Sequence, residues 1–173
     1  MRTTVLAAAA ACLIGSAALA GPELVAFPEA YQDSFTHYST VNRADDRKQV
    51  VRIFANDVAL ASAKDGAPLD SGAVVVMEVY KARLDADETP VVGSDGFFEP
   101  GELAGIAVME TRSGWGEDYA DEIQNGTWEY AFFDAKEHTL VERDYQPCFE
   151  CHKPLHESDY LFSFDALSQA AGN

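Results

Sequence analysis

The sequence predicts an α+β fold, an antiparallel β-sheet with flanking helices, carrying a Cys-x-x-Cys-His motif near its C-terminal end. Three observations predict it. Four runs rich in β-branched and aromatic residues lie between positions 49 and 133. Helical patterns stand before and after them, and the strands do not alternate with helices as a parallel sheet requires.

The elements follow in chain order. Pro28 to Thr40 reads as a helix, with Pro28 suited to the first turn and Tyr31, Phe35 and Tyr38 spaced along one face. Gln49 to Ala55, with its Val, Ile and Phe, reads as a strand. Asn56 is placed to cap a short helix that runs through Lys64 and stops at Gly66. Ala73 to Ala82 contains Val74, Val75, Val76 and Val79, and Gly105 to Thr111 contains Ile106 and Val108. Both predict strands. Thr127 to Phe133 predicts another, with Trp128, Tyr130 and Phe132 on one face and Phe133 on the other. Asp85 to Gly101 and Ser113 to Gly126, rich in Gly and acidic residues, predict surface loops. Helical character returns after Asp144, around the cysteines and again from Ser158, a candidate N-cap, to Leu167.

The first twenty residues read as an export leader. Arg2 supplies the positive charge, an apolar run extends from Val5 to Ile14, and Ala18-Leu19-Ala20 gives the small-x-small pattern that predicts cleavage after Ala20. A retained anchor would need about 20 apolar residues. Cys12 has too little apolar sequence before it for a lipoprotein site. Residues 21–173 then form one domain, with a periplasmic destination. The formal net charge is −17, and loss of Arg2 with the leader makes it one unit more negative. Such a surface repels nucleic acid and anionic lipid and favours a basic redox partner; solubility alone is the competing explanation for the acidity.

Cys148-Phe149-Glu150-Cys151-His152 is the sharpest chemical signal. Two thiols three positions apart on a helical turn can reach the two vinyl groups on one edge of a porphyrin, and the next residue can project its imidazole to the iron. The motif therefore points to one covalently held haem c, with Cys148 and Cys151 as thioether residues and His152 as an axial iron ligand. Two readings compete. A redox dithiol uses the same Cys-x-x-Cys spacing, ordinarily after a parallel strand. A zinc clip would need four ligands, which Cys148, Cys151, His152 and His156 could supply.

Small electron-transfer cytochromes c carry this motif early and an axial methionine late, in an all-helical fold; here the motif is late and strands fill the middle. A sheet-rich domain ending this way resembles the cytochrome P-460 family, which includes cytochrome c′-beta. The matching pieces are Phe27-Pro28-Glu29-Ala30-Tyr31, the strand around Arg52, and Gly72-Ala73-Val74-Val75-Val76-Met77-Glu78. Gly126-Thr127-Trp128 before an aromatic strand also matches, as does Cys148 to His152 followed by Asp159, Tyr160 and Phe162. The resemblance implies an open or weakly filled iron face that meets small nitrogen-containing molecules, and it suggests a homodimer.

Two departures bear on activity. The resemblance puts Met77 where hydroxylamine-oxidising members carry a lysine cross-linked to the porphyrin, and Ala107 where they place a glutamate over the iron. Lys81 shares the strand face of Met77 but lies two strand repeats away, about 13 Å, so an edge lysine in solvent is expected. Glu78 and Glu110 have the opposite parity and do not replace the missing base. Val75, Met77, Val79, Ala107 and Met109 would then line a largely apolar distal pocket, or simply pack in the core. Arg52 is expected either to donate to a bound ligand or propionate or to lie on the strand surface. His37, His138 and His156 are expected at the surface. The function expected is binding of small gaseous ligands such as nitric oxide, with or without electron transfer; hydroxylamine or nitric oxide oxidoreduction and six-coordinate electron carriage are the alternatives.

Overall fold

The computed structural model describes residues 21–172; the leader expected at 1–20 lies outside the described residues. Five strands form one antiparallel meander in the order β1-β2-β3-β4-β5: β1 Thr36–Arg43, β2 Gln49–Ala55, β3 Val74–Ala82, β4 Pro100–Thr111 and β5 Trp128–Phe133. Four helices flank it: α1 Tyr31–Ser34, α2 Asp57–Ala63, α3 Gln146–His152 and α4 Phe164–Ala171. The α+β prediction holds.

The largest departure from the sequence reading is at the start. The helix expected over residues 28–40 is only the single turn α1, and Thr36–Arg43 is a strand. Phe35 already has extended backbone (φ −96°, ψ 151°). A run of Thr36, Tyr38, Thr40 and Val41 gains more by pairing with β2 than by continuing a short helix. Tyr31, Phe35 and Tyr38 therefore do not share a face. Tyr31 and Phe35 pack behind the sheet, and Tyr38 packs in front, its hydroxyl 2.7 Å from Ser163 Oγ.

The other differences are smaller. β4 begins at Pro100, five residues before expectation, and the segment before it is tied by Leu84–Pro90 and Val92–Phe98 bridges rather than being a plain loop. Ser158 ends a 3-10 turn, Lys153–Ser158, instead of starting a helix; α4 follows Ser163. The cause is Asp159 and Tyr160, both with left-handed backbone (φ 49° and 61°), which turn the chain sharply between the two segments. Asn56 caps α2 as expected: its Oδ1 accepts from the Ala59 N–H at 2.9 Å.

Alternation along the strands splits the interior in two. On the front face Val51, Ile53, Val75, Val79, Trp128 and Tyr130 pack against Ala59 and Ala63 of α2, Phe149 of α3 and Leu167 of α4. On the back face Val74, Val76, Ile106, Val108 and Phe133 are covered by Val25 and Tyr31 from the N-terminal segment. No helix among the described residues is long and apolar enough to cross a membrane.

Candidate functional site

Helix α3 carries the motif on the front face. Pro147 sits in its first turn, where a missing N–H is harmless. Tyr145, just before it, fastens the helix to the sheet: its hydroxyl donates to Val141 O at 2.8 Å and accepts from the Phe132 N–H at 3.1 Å. Buried Asn125 makes a second tie, donating through Nδ2 to the Tyr130 hydroxyl (2.9 Å) and to Phe149 O (3.0 Å). Lys153 adds a third through Gln124 O at 2.9 Å. The i, i+3 spacing puts Cys148 and Cys151 on one side of the helix. Both are free thiols, Cys148 half-buried and Cys151 exposed.

His152, at the last turn, is oriented from behind. Its Nδ1 lies 2.6 Å from Tyr160 O. A carbonyl can only accept, so Nδ1 carries the proton and Nε2 keeps its lone pair. The left-handed turn at Asp159 and Tyr160 is what presents that carbonyl. The turn is held by Asp159 Oδ2, which accepts the Leu69 N–H at 2.8 Å, and by the Tyr160 N–H donating to Leu155 O at 2.8 Å. The rings of Tyr130 and Phe162 meet the imidazole edge-on at 5.1 and 5.0 Å. Burial lowers the His152 pKa below the ordinary value; the Tyr160 hydrogen bond opposes this and the Arg43 charge adds to it. The imidazole is thus neutral at pH 7, as a metal ligand must be.

The sheet supplies an apolar platform on the same face. One row across all five strands reads Ser39, Ile53, Met77, Ala107 and Phe132 in register. Met77 and Ala107 are direct register partners and lie on one face, as the resemblance implies. Met77, Ala107, Met109 and Phe132 are half-buried, whereas Val75 and Val79 are core. Gly105 makes room for the Phe132 ring: a Cβ there would lie 2.3 Å from Phe132 Cζ. Glu78 and Glu110 point to the back face. There Glu78 accepts from Tyr31 and Gln32, each at 2.8 Å, and Glu110 pairs with Arg112.

Arg52 lies on the strand surface, the second of its two expected places, and not in a distal pocket. Its parity places it on the back face with Val50 and Phe54, its guanidinium 5.4 Å from the Tyr80 ring centre, away from the motif. The arginine that does reach the front is Arg43, whose Nη2 lies 3.2 Å from Met77 Sδ. Burial lowers its pKa, and the Arg47 charge does so further. A helix over residues 28–40 hides Arg43 from a reading of the sequence; the alternation Ser39, Val41, Arg43 is the signal that points to it.

The remaining candidates lie elsewhere. His37 is 3.0 Å from Thr40 Oγ1 and tilts against Phe54, and His138 stacks on Phe27 at 4.0 Å, both on the back face. His156 is exposed on the 3-10 turn, and Lys81 is an exposed ion-pair partner of Glu102 at 2.7 Å. A cleft of about 510 Å³ lined by His37, Arg52, Phe54 and Phe98 also opens behind the sheet, away from the motif.

The donor set fits a covalently held haem. Two free thiols one helical turn apart adjoin an imidazole whose outer nitrogen is held and whose other nitrogen keeps its lone pair, beside half-buried apolar side chains. The zinc clip finds no support, since no three His, Cys, Asp or Glu side chains among the described residues converge to hold a metal ion. The dithiol reading lacks its context as well, because the sheet is antiparallel throughout.

The family model described as Cytochrome P460 matches residues 28–163, most of the chain, and the chain belongs to that family. No curated protein matches it.

Proposed function

We propose that this member of the cytochrome P460 family, a haem c protein, is an exported single-domain mono-haem cytochrome that binds a small gaseous ligand of the nitric oxide type. In this reading residues 1–20 are cleaved after Ala20, and residues 21–173 work in the periplasm. Cys148 and Cys151 would hold the haem by thioether bonds, and His152 would ligate its iron. The haem would supply an iron with one face for an exogenous ligand.

The chain's own residues prepare that chemistry. Tyr160 O keeps the proton on His152 Nδ1, which fixes the ring orientation and raises its donor strength. The observation that carries the proposal is the Met77–Ala107 pair in the middle of the front face: neither side chain can form the porphyrin cross-link or accept a proton. The nearby strand carboxylates, Glu78 and Glu110, are committed to the other face. A positioned base contributes about 10² to 10⁴ in rate, so hydroxylamine oxidation is disfavoured and capture of an uncharged diatomic favoured.

Electron carriage with a filled sixth position is the second reading, favoured by the thioethers of Met77 and Met109 on the same face. Against it, Met77 Sδ already accepts from Arg43. Spectra of the reduced protein with and without nitric oxide or carbon monoxide separate the two. The expected result is a high-spin ferrous form that shifts on addition of gas. A low-spin His/Met spectrum, unmoved by gas and abolished by Met77→Ala or Met109→Ala, would establish the carrier instead.

A basic redox partner suits the net charge of −17, and a homodimer is proposed with it. Electron exchange with such a partner should slow as salt screens charges beyond about 8 Å; equal rates at low and high salt would assign the acidity to solubility alone.

A further inference from the structure

We propose that the back face holds a docking site for the chain's own processed amino terminus, in which the ammonium of Gly21 pairs with the buried carboxylate of Glu129. This rests on the reading that the leader is removed after Ala20. Hydrolysis of the Ala20–Gly21 bond consumes one water. It leaves a carboxylate on the leader and a free amine, protonated below its pKa of about 8, on Gly21.

The residues around Gly21 are arranged for a cation. Gly21 is buried at the foot of the 3-10 turn Pro22–Leu24, which packs against β5, and Val25 enters the back core at 3 % exposure. Glu129, on β5, is fully buried at 0 % exposure. Its Oε2 accepts from the Tyr119 hydroxyl at 3.0 Å, and its Oε1 has no hydrogen-bond partner among the described residues. The Gly21 backbone N–H faces this carboxylate and favours its ionised form.

Two further carboxylates face the same spot. Glu110 on β4 is the register partner of Glu129, and its charge is taken up by Arg112 at 2.5 Å. Glu23 folds back over Gly21, so that a Cβ at position 21 would lie 2.5 Å from Glu23 Oε2. The positive φ of 141° at Gly21 also favours a residue without a side chain there. An uncleaved chain offers Glu129 one neutral N–H, whereas a cleaved chain offers up to three donors and a full positive charge at the same nitrogen. A buried carboxylate with one oxygen unpaired is costly, and a charge-assisted partner relieves it.

The pH dependence gives a signed readout. With the amine absent, burial raises the Glu129 pKa to about 7, with the Glu23 charge adding to the rise and Tyr119 and the Gly21 N–H opposing it. The ordinary glutamate value is about 4.3. Between those values the folded state holds a proton that the unfolded state has released, so stability falls as pH rises through the window. An ammonium at Gly21 lowers the Glu129 pKa and flattens that fall.

The experiment uses the exported haem-loaded protein as the native chain, as a chain with Ala-Ser inserted between Ala20 and Gly21, and as both sequences again with Glu129→Gln. Intact mass first establishes where each chain begins. A native chain that does not start at Gly21 overturns the processing reading, and the docked amine with it. For a chain that does start there, acetic anhydride labelling followed by mass spectrometry should modify the α-amine at least about tenfold more slowly than the exposed lysines, despite its lower intrinsic pKa. Glu129→Gln should remove that protection. The inserted chain should melt roughly 6–12 °C lower than the native one at pH 7, the scale of a broken buried ion pair. It should also lose stability as pH rises from about 4.3 to about 7, and Glu129→Gln should abolish both differences. A chain starting at Gly21 whose amine labels as fast as the lysines, and whose melting ignores both the insertion and Glu129→Gln, would overturn the docking site alone.

Discussion

The two faces of the sheet use the same strands for opposite ends. The back face is closed by the chain itself: Val25, Phe27 and Tyr31 cover it, and its buried carboxylates take partners from Tyr31, Gln32, Tyr80, Tyr119 and Arg112, with only Glu129 Oε1 left open among the described residues. The front face buries its periphery under α2 and α4 but leaves Met77, Ala107, Met109 and Phe132 half-buried beside the oriented imidazole of His152. One residue of parity separates Met77 from Glu78, and that step divides an apolar platform from a polar buried network. The strand carboxylates Glu78, Glu110 and Glu129 thus lie on the face away from the motif. Alternation along the strands keeps these sheet carboxylates off the face that carries the motif.

The largest effect is expected from removing the front face's chemistry. The Cys148→Ala, Cys151→Ala double variant should lose all haem on acid-acetone extraction, while the native polypeptide retains it. A native chain that holds zinc and no haem would refute the assignment of the front face.

Next in size is an attempt to give the front face the groups it lacks. The native protein should have the mass of its polypeptide plus one haem, with no further loss of two hydrogens. Met77→Lys with Ala107→Glu places an amine and a carboxylate on directly paired residues. A new cross-link by mass, or hydroxylamine turnover, is the expected gain. A double variant whose haem spectrum is unchanged would put both side chains away from the haem.

Gly105→Ala probes the packing of the platform. The added methyl must displace the Phe132 ring or the strand, which should cost about 1–3 kcal/mol in denaturant unfolding. In a Phe132→Ala background the same substitution should cost much less; an equal cost would place the strain in the backbone instead.

The smallest effect is expected behind the sheet. Tyr31→Phe removes the 2.8 Å donor to Glu78 but leaves Gln32 and Tyr80 in place. A loss of about 1 kcal/mol is expected, with the haem spectrum unchanged. A shifted spectrum would show that the two faces communicate.

Much of this is legible in the sequence. Strand parity has a period of two, so residue order sets Met77 opposite to Glu78 and Ala107 opposite to Glu110, while the β3–β4 register brings Met77 and Ala107 to one face. The same parity excludes Arg52 from the motif face, although the hydrophobic residues beside it suggest a place in the site. Residues 35–43 resist a local reading, because their aromatic spacing suits a helix and a strand about equally. Pairing with β2, a contact remote in sequence, decides between them.

By itself the sequence determined the α+β class, the helical turn carrying Cys148, Cys151 and His152, and the absence of a lysine or glutamate at the two paired front positions. These follow from residue type and local spacing. Only the tertiary structure decided that Arg43 reaches Met77, that Tyr160 O fixes the tautomer of His152, and that Glu129 is buried beside Gly21. Each of those joins residues on separate elements or across a left-handed turn. Their energies come from burial and hydrogen-bond geometry, which no local pattern encodes.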